Sequence, residues 1–324
     1  MYSWLIKPFN DFLAMKQSNR LSHALLICGS SGLGINELTY EIARTILCEE
    51  GGNPNCCCHS CQMLEASTHP DFTKIVRDGN NIKVDQIRSG ILTLEETATN
   101  AHGKVLLIED AELMNEQASN ALLKTLEEPP TDSFIILSTG APRSLLPTIL
   151  SRTMRLDIGN VPLEVLNDFL RKETSSNDDF TLELRVSGFN PLKVKEYLEN
   201  GDSKNLRDAL LIFNDVILGN AQSIKFVQAI DKKLSKDLVF SLFFAIIKDV
   251  MLYQVGGLSQ TRSILKNEEV LQRLATIHPD SLNDALNKII ALKKVPGIPN
   301  SMVNNLQILS FVETLKGDDT YVEN

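Results

Sequence analysis

The segment Ala24-Leu-Leu-Ile-Cys-Gly-Ser-Ser-Gly-Leu-Gly-Ile-Asn36 joins a short apolar run to a glycine-rich loop. Its first part, 24–28, has the length and composition of a buried strand. The segment 37–48 that follows has apolar residues at a helical spacing, namely Leu38, Ile42, Ala43 and Ile46. A strand, a glycine loop and a helix in this order are typical of a loop that offers backbone N–H groups to a phosphate.

Strand and helix patterns alternate through the first half of the chain. Lys104–Glu109 and Phe134–Ser138 are further candidates for buried strands, and Asn115–Glu128 between them has a helical pattern that Pro129-Pro130 ends. Strands that alternate with helices predict a parallel sheet with right-handed crossovers, and therefore an α/β fold. Beyond Arg155 the strand patterns fade and helical spacing dominates.

Length and composition indicate a globular protein of two or three domains. The chain has 324 residues, of which 43% are hydrophobic and 23% charged, and about 150 residues make a typical domain. The N-terminus lacks the pattern of a signal peptide, and the longest apolar stretch, Leu238–Ile247, is far shorter than the roughly 20 residues of a membrane span. We therefore expect a cytoplasmic protein without membrane contact.

The net charge of −9 makes the chain a poor general binder of nucleic acid, because sequence-independent affinity comes from basic side chains that neutralise phosphates. Contact with DNA would have to be local or made through partners.

The glycine loop has the backbone pattern of a phosphate loop without its charged chemistry. Gly29, Gly32 and Gly34 define the loop, but Ile35 and Asn36 stand where hydrolysis needs a lysine and a serine or threonine. Isoleucine cannot replace the charge-assisted contact of an ammonium group. We therefore expect a degenerate loop without a functional ATP site, or simply a glycine-rich turn.

The end of the second strand supports this interpretation. An ATPase would end this strand in Asp-Glu, whereas here the order is Glu109-Asp110, and catalytic geometry tolerates such a displacement of carboxylates poorly. The alternative is an active ATPase with an atypical loop, in which Lys104 or Lys124 serves as a surrogate cation.

Cysteines cluster in residues 48–61: Cys48, Cys56, Cys57, Cys58 and Cys61. Four thiolates suit the tetrahedral preference of zinc, and the spacing of Cys58 and Cys61 lets one turn present both. We expect one structural zinc held by Cys48, Cys56, Cys58 and Cys61, with Cys57 as the alternate for Cys56 and His59 as a weaker substitute. An iron–sulfur cluster, exposed thiols and a metal- or redox-sensing protein are the alternatives.

Ser151-Arg152 follows the third predicted strand, after the helical turn that Pro147 begins. A surface arginine is most often a solvated charge. In a degenerate nucleotide domain it can instead enter a neighbour's site and stabilise the charge on the transferring phosphoryl group.

Together these residues resemble the delta-prime subunits of the bacterial DNA polymerase III clamp loader, a family of the AAA+ superfamily. The matching stretches are Arg20–Ala24, the glycine loop, the cysteine insertion, Ser119–Pro130, Thr139–Pro142 and Leu146–Arg152. The related gamma and tau subunits are working ATPases that share the cysteine insertion and the Ser-Arg motif but keep the lysine. Ile35 and Asn36 therefore favour delta-prime.

The resemblance implies a domain organisation. An AAA+ domain with a P-loop-type parallel sheet would occupy residues 1–157, with the zinc-binding insertion at 48–61. A small helical lid domain would follow at 158–204, an all-α C-terminal collar domain at 205–317, and a polar tail at 318–324.

The resemblance also implies a hetero-pentamer with gamma or tau and delta subunits, which places the sliding clamp on primer-template DNA. Arg152 would enter the ATP site of the adjacent gamma subunit, and this chain would hydrolyse no ATP itself.

Three departures from the family pattern are visible. Thr153 replaces the cysteine of the usual Ser-Arg-Cys motif, and the usual two-residue gap between the second and third zinc cysteines is missing. The loop around Gly188 lacks an arginine at the place where an ATPase would sense its nucleotide, and only Lys193 is near that place.

Overall fold

The computed structural model describes residues 1–52, 56–99, 103–230, 233–257, 263–294, 310–312 and 315. The chain divides into two compact units, residues 1–161 and 162–324. The predicted tail, 318–324, lies outside the described residues.

The first unit contains a parallel sheet of five strands in the order β2-β3-β4-β1-β5. The strands are β1 Ala24–Cys28, β2 Phe72–Ile75, β3 Lys104–Ile108, β4 Ser133–Thr139 and β5 Met154–Asp157. The α-helices of this unit are α1 Ile6–Gln17, α2 Ile35–Leu47, α3 His59–Glu65, α4 Val84–Glu95, α5 Glu116–Glu127 and α6 Pro147–Leu150. The predicted α/β class with a parallel sheet is thereby confirmed.

The centre of the sheet is apolar because β1 and β3 are buried along their whole length. Leu26, Leu106 and Ile135 from the three central strands share one core with Ile87 of α4 and Leu122 of α5. Parallel strands that are covered by helices must be apolar on both faces, which explains their continuous hydrophobic runs. The carboxyl ends of β1, β3 and β4 meet at one edge, where α/β folds bind ligands.

The sequence patterns missed the two edge strands. β2 keeps only Ile75 buried and β5 only Leu156, and both have four residues. Edge strands have one pairing neighbour and one exposed side, so charged residues such as Lys74 and Arg155 are tolerated there. Such short mixed segments lack the apolar run that identifies a buried strand.

Every described secondary-structure element of the second unit is a helix. These are α7 Leu163–Thr174, α8 Thr181–Val186, α9 Pro191–Glu199, α10 Asp202–Ile217, α11 Ser223–Ile230, α12 Lys236–Gln254, α13 Glu268–Ala275 and α14 Pro279–Lys294. The helix α10 begins just ahead of the predicted boundary after residue 204, and the division into lid and collar domains stays a prediction. Across the described part of the chain, no helix combines the length and hydropathy that a bilayer span needs.

A buried carboxylate lies inside the second unit. Asp249 of α12 is fully buried, accepts hydrogen bonds from the Ile264 N–H at 2.8 Å and the Ser263 hydroxyl at 3.0 Å, and pairs with the Arg185 guanidinium of α8 at 3.1 Å. Burial raises the pKa of Asp249, and the pairing with Arg185 and these hydrogen bonds oppose that rise. The network ties α8 and α12 to the segment before α13.

We predict that Asp249→Ala destabilises the chain by about 3 kcal/mol, because it leaves a nearly buried guanidinium without its carboxylate. Asp284→Ala is the matched control, since Asp284 is exposed on α14. Urea unfolding followed by circular dichroism measures both changes, and equal midpoints for the two variants would contradict the importance of this network.

Candidate functional site

The glycine loop follows β1 at the carboxyl edge of the sheet and ends at the N-terminus of α2. The Gly29 N–H donates to the Thr139 carbonyl at 3.2 Å, which ties the start of the loop to β4. Gly32 and Gly34 have φ angles of +80° and +81°, and this left-handed region favours glycine. The backbone therefore has the strand–loop–helix form that the sequence predicts.

Ile35 and Asn36 begin the first turn of α2. Ile35 is half-buried and Asn36 is exposed, so the two positions next to the last glycine carry an apolar side chain and a neutral amide. A helix N-terminus attracts anions through its N–H groups and dipole, but these residues add no positive charge to that attraction.

Lys104 does not supply the missing cation. It begins β3 at the amino edge of the parallel sheet, opposite the glycine loop, and its ammonium group donates to the Thr93 carbonyl at 2.6 Å. The surrogate role considered for Lys104 is therefore wrong.

An aromatic pair near the N-terminus packs against the loop. A Cβ atom added at Gly34 would lie 2.7 Å from Cδ2 of Tyr2, so the Tyr2 ring contacts the glycine backbone directly. Tyr2 stacks on Trp4 with ring centroids 5.0 Å apart, and the Trp4 indole N–H donates to the Leu33 carbonyl at 2.9 Å. The sequence analysis missed this contact, because no local spacing rule relates residues 2–4 to residues 33–34.

The acids at the end of β3 have protein partners. The Glu109 carboxylate, whose side chain is 10% exposed, pairs with the Lys74 ammonium of β2 at 2.8 Å. Asp110 adopts a left-handed φ of +50°, and its N–H donates to the Ser138 hydroxyl at 3.3 Å. Because an ammonium group already neutralises Glu109, this carboxylate is poorly suited to hold a metal or polarise water.

Glu112 adds negative charge beside the loop. Its carboxylate accepts from the Gly140 N–H at 3.0 Å, and a Cβ at Gly140 would lie 3.7 Å from the Gly29 carbonyl oxygen. Burial raises the pKa of the Cys28 thiol at the end of β1 to about 11, and the carboxylates of Asp157 and Glu112 act in the same direction. Like charges repel, so Glu112, which the sequence analysis did not single out, disfavours a phosphate at this edge.

The structure brings together four of the clustered cysteines. The Sγ atoms of Cys48, Cys56, Cys58 and Cys61 all lie within 4.8 Å of one another, with those of Cys48 and Cys58 4.0 Å apart. Cys48 directly follows α2, and Cys58 is the residue before α3. Cys57 is exposed and is not part of the group, and His59 is also exposed.

Hydrogen bonds hold the cysteine cluster against its surroundings. The Arg44 guanidinium of α2 donates to the Cys56 carbonyl at 2.8 Å, and the Ser60 hydroxyl of α3 donates to the Leu47 carbonyl at 2.7 Å. His69, which is 2.7 Å from Ser60, accepts at Nδ1 from the Asp71 N–H. Burial lowers the pKa of His69, which favours the neutral ring with Nε2–H donating to Ser60.

Arg152 lies at the surface of the first unit, just after α6. Its Nη1 donates to the Thr148 carbonyl at 3.0 Å and to the Ser151 hydroxyl at 3.3 Å, and its Nη2 pairs with the Glu127 carboxylate. The Arg152 side chain remains 33% exposed, so its guanidinium can also face a neighbouring molecule.

We predict that Gly34→Ala destabilises the chain by about 1–3 kcal/mol, because it places a Cβ in the left-handed region and against the Tyr2 ring. Tyr2→Ala should remove part of this cost, so the two changes should be non-additive in a double-mutant cycle. Thermal unfolding of the four proteins tests this contact, with Gly219→Ala as the control for the left-handed conformation alone, since a Cβ there meets open space. Additive effects of Gly34→Ala and Tyr2→Ala would contradict the contact.

Comparison with known proteins identifies relatives among the subunits of bacterial DNA polymerase III. Residues 6–162 match the family model described as DNA polymerase III, delta subunit. The chain is 35% identical over 214 residues to DNA polymerase III subunit delta' of Escherichia coli K12, and this alignment covers 64% of each chain. It is 28% identical over 248 residues to subunit delta' of Bacillus subtilis, which covers 74% of this chain and 75% of that one.

The comparisons also include a tau subunit and a gamma subunit-related structure. The chain is 28% identical over 236 residues to DNA polymerase III subunit tau of Salmonella typhimurium, which covers 70% of this chain and 35% of tau. A solved structure of a gamma subunit-related protein from Thermotoga maritima covers 94% of this chain and 99% of its own, at 19% identity and a TM-score of 0.46.

Several delta' relatives are at least 30% identical to this chain. The alignments to the Escherichia coli and Haemophilus influenzae proteins span 64% and 62% of those proteins, slightly less than two thirds of their length. The span that the family model matches, residues 6–162, includes the glycine loop, the cysteine cluster and Arg152. This chain is similar to bacterial DNA polymerase III delta-prime subunits, at 30–35% identity over 62–64% of its length.

Proposed function

We propose that this chain is a non-hydrolysing subunit of the DNA polymerase III clamp loader and supplies Arg152 to an ATP site on a neighbouring gamma or tau subunit. Two features of the first unit together carry the proposal: the glycine loop has Ile35 in place of lysine, and Arg152 is partly exposed. Such a chain lacks the groups that it would need to hydrolyse ATP itself, but it retains an arginine that can assist hydrolysis in a neighbouring subunit.

Three features of the loop edge argue against hydrolysis by the chain itself. Ile35 and Asn36 provide neither the ammonium group for the terminal phosphates nor the hydroxyl for magnesium. Glu109 is already paired with Lys74, and Glu112 adds negative charge close to Gly29 and Gly140. Each feature disfavours the magnesium–ATP complex, and all lie at the edge where that complex would bind.

Arg152 has the chemistry that a neighbouring ATP site requires. A guanidinium is planar, permanently charged and matched in shape to phosphate oxygens, so it can stabilise the transition state of phosphoryl transfer from outside the site. We assign to Ser151, whose hydroxyl accepts from Nη1, the role of supporting the orientation of this guanidinium.

The partners in this proposal are gamma or tau and delta subunits in a hetero-pentamer, which loads the sliding clamp onto primer-template DNA in the cytoplasm. The names of the delta' relatives and the similarity to a tau subunit support this assembly. The net charge of −9 favours DNA contact through the assembly over broad binding by this chain alone.

The four-cysteine group fits a structural zinc. Four sulfur ligands at about 2.3 Å from zinc lie roughly 3.8 Å from one another in a tetrahedron, and the four thiols are already clustered within 4.8 Å. Three of them are buried and one is half-buried, which favours a closed structural centre. Zinc would fasten the segment 48–61 to the end of α2.

We predict that the purified chain contains about one zinc ion and that Cys58→Ser abolishes its retention, since three protein ligands leave a structural site incomplete. Cys57→Ser is the matched control and should retain the metal, because Cys57 is exposed and outside the group. Elemental analysis measures both. Equal zinc content in the two variants would contradict the ligand set. Iron together with a visible absorption band would show that the four cysteines hold an iron–sulfur cluster and not zinc.

We predict that a loader reconstituted with Arg152→Ala assembles normally but loses DNA-stimulated ATP hydrolysis at the one site that receives Arg152. An arginine supplied to a phosphoryl-transfer site is worth ~10³ or more in rate at that site, while the other sites of the ring retain their own arginines. Single-turnover hydrolysis therefore resolves the affected site, and clamp-loading rates report its consequence.

Arg155→Ala is the control for this experiment, since Arg155 lies on β5 and pairs with Asp157 at 2.7 Å. It should leave the hydrolysis rate unchanged. If Arg152→Ala also hydrolyses and loads at the wild-type rate, the role of Arg152 in a neighbouring site is refuted.

A further inference from the structure

Glu127 is the last residue of α5 and pairs with Arg152. The contact joins Oε1 of Glu127 to Nη2 of Arg152. Glu127 belongs to the stretch 119–130, and nothing in the residue spacing connects it to residue 152. The structure brings the two side chains together because α5 packs against α6.

The buried neighbours of both residues fix the position of this pair. Leu126, next to Glu127, is 1% exposed, and Ile149 of α6 is fully buried in the same core. The Arg152 N–H donates to the Ile149 carbonyl at 3.1 Å. Packed side chains therefore set the distance between the two charged groups, and both tips still reach the surface, with 33% and 50% of the side chains exposed.

Glu127 is poorly placed to stabilise its own helix. A carboxylate at the C-terminus of a helix lies next to the negative end of the helix dipole, where cations such as Lys124 are favoured. The Arg152 guanidinium offsets this unfavourable charge. The carboxylate, the Thr148 carbonyl and the Ser151 hydroxyl together restrain the two terminal nitrogens of the guanidinium.

We propose that Glu127 is a positioning residue for Arg152, holding the guanidinium in one orientation before a neighbouring ATP site closes around it. This inference rests on the proposed function of Arg152. An arginine side chain has many rotamers, and a partner that restricts them in advance reduces the ordering required when the phosphate is engaged. Glu127 itself need not touch the nucleotide.

The test is the ATPase rate of the reconstituted loader with Glu127→Ala and Glu127→Gln. We expect Glu127→Ala to lower kcat about threefold at the site that receives Arg152, with the KM for ATP at that site unchanged. This is the effect expected from losing one exposed ion pair that orients a group used in the transition state. Glu127→Gln retains a hydrogen-bond acceptor and should recover part of the rate. Glu128→Ala is the matched control, since Glu128 is the adjacent exposed acid.

The Arg152→Ala background separates positioning from a general structural effect. Glu127→Ala should change nothing there, because the group that it orients is gone. Three results would each overturn the inference. Glu127→Ala could lower kcat equally in both backgrounds, or it could leave kcat unchanged. It could also raise kcat, which would mark Glu127 as a competitor for the guanidinium. If Arg152→Ala alone has no effect, the proposed function fails as well, whereas a large effect of Arg152→Ala with none of Glu127→Ala removes only the positioning role.

Discussion

The contact between the Tyr2 ring and the backbone of Gly34 constrains the whole loop edge of the first unit. Gly34 has a φ of +81°, and a Cβ there would collide with the ring, so the loop must end in glycine whether or not it binds a phosphate. The next residue begins α2 and is an isoleucine. Packing within the chain thus explains why this loop has the shape of a phosphate loop, while the charge that would give this shape a catalytic use is missing.

The same sheet that supports this loop also supports the groups that we propose to be functional. Buried residues of β1, β3, β4, α5 and α6 form one core, and that core fixes Glu127 and Arg152 at the surface. The cysteine group lies at the opposite end of α2 from the glycine loop. There it brings together the two ends of the segment that connects α2 to α3. One core thus positions both the glycine loop and the pair for which we propose a role in a neighbouring site.

The sequence predicted the features that depend on local patterns. The buried runs of β1, β3 and β4 are continuous and apolar, and the helices α2 and α5 have regular spacing, so these elements were placed within a few residues. The four clustered cysteines were also found from their spacing. The edge strands β2 and β5 were missed because their short segments mix Lys74 and Arg155 with apolar residues. Tyr2, Glu112 and Glu127 were missed for a different reason, since each acts on a residue distant in the chain and only tertiary packing creates the contact.

The central claim is that this chain contributes to hydrolysis in a neighbouring site without binding and hydrolysing ATP in its own. The most direct measurement is calorimetric titration of the purified chain with magnesium–ATP, followed by an assay of phosphate release from the same sample, with a gamma subunit as the positive control. The account predicts no saturable binding at millimolar nucleotide and no phosphate release. Saturable binding with magnesium-dependent release that a Gly34 variant abolishes would contradict it.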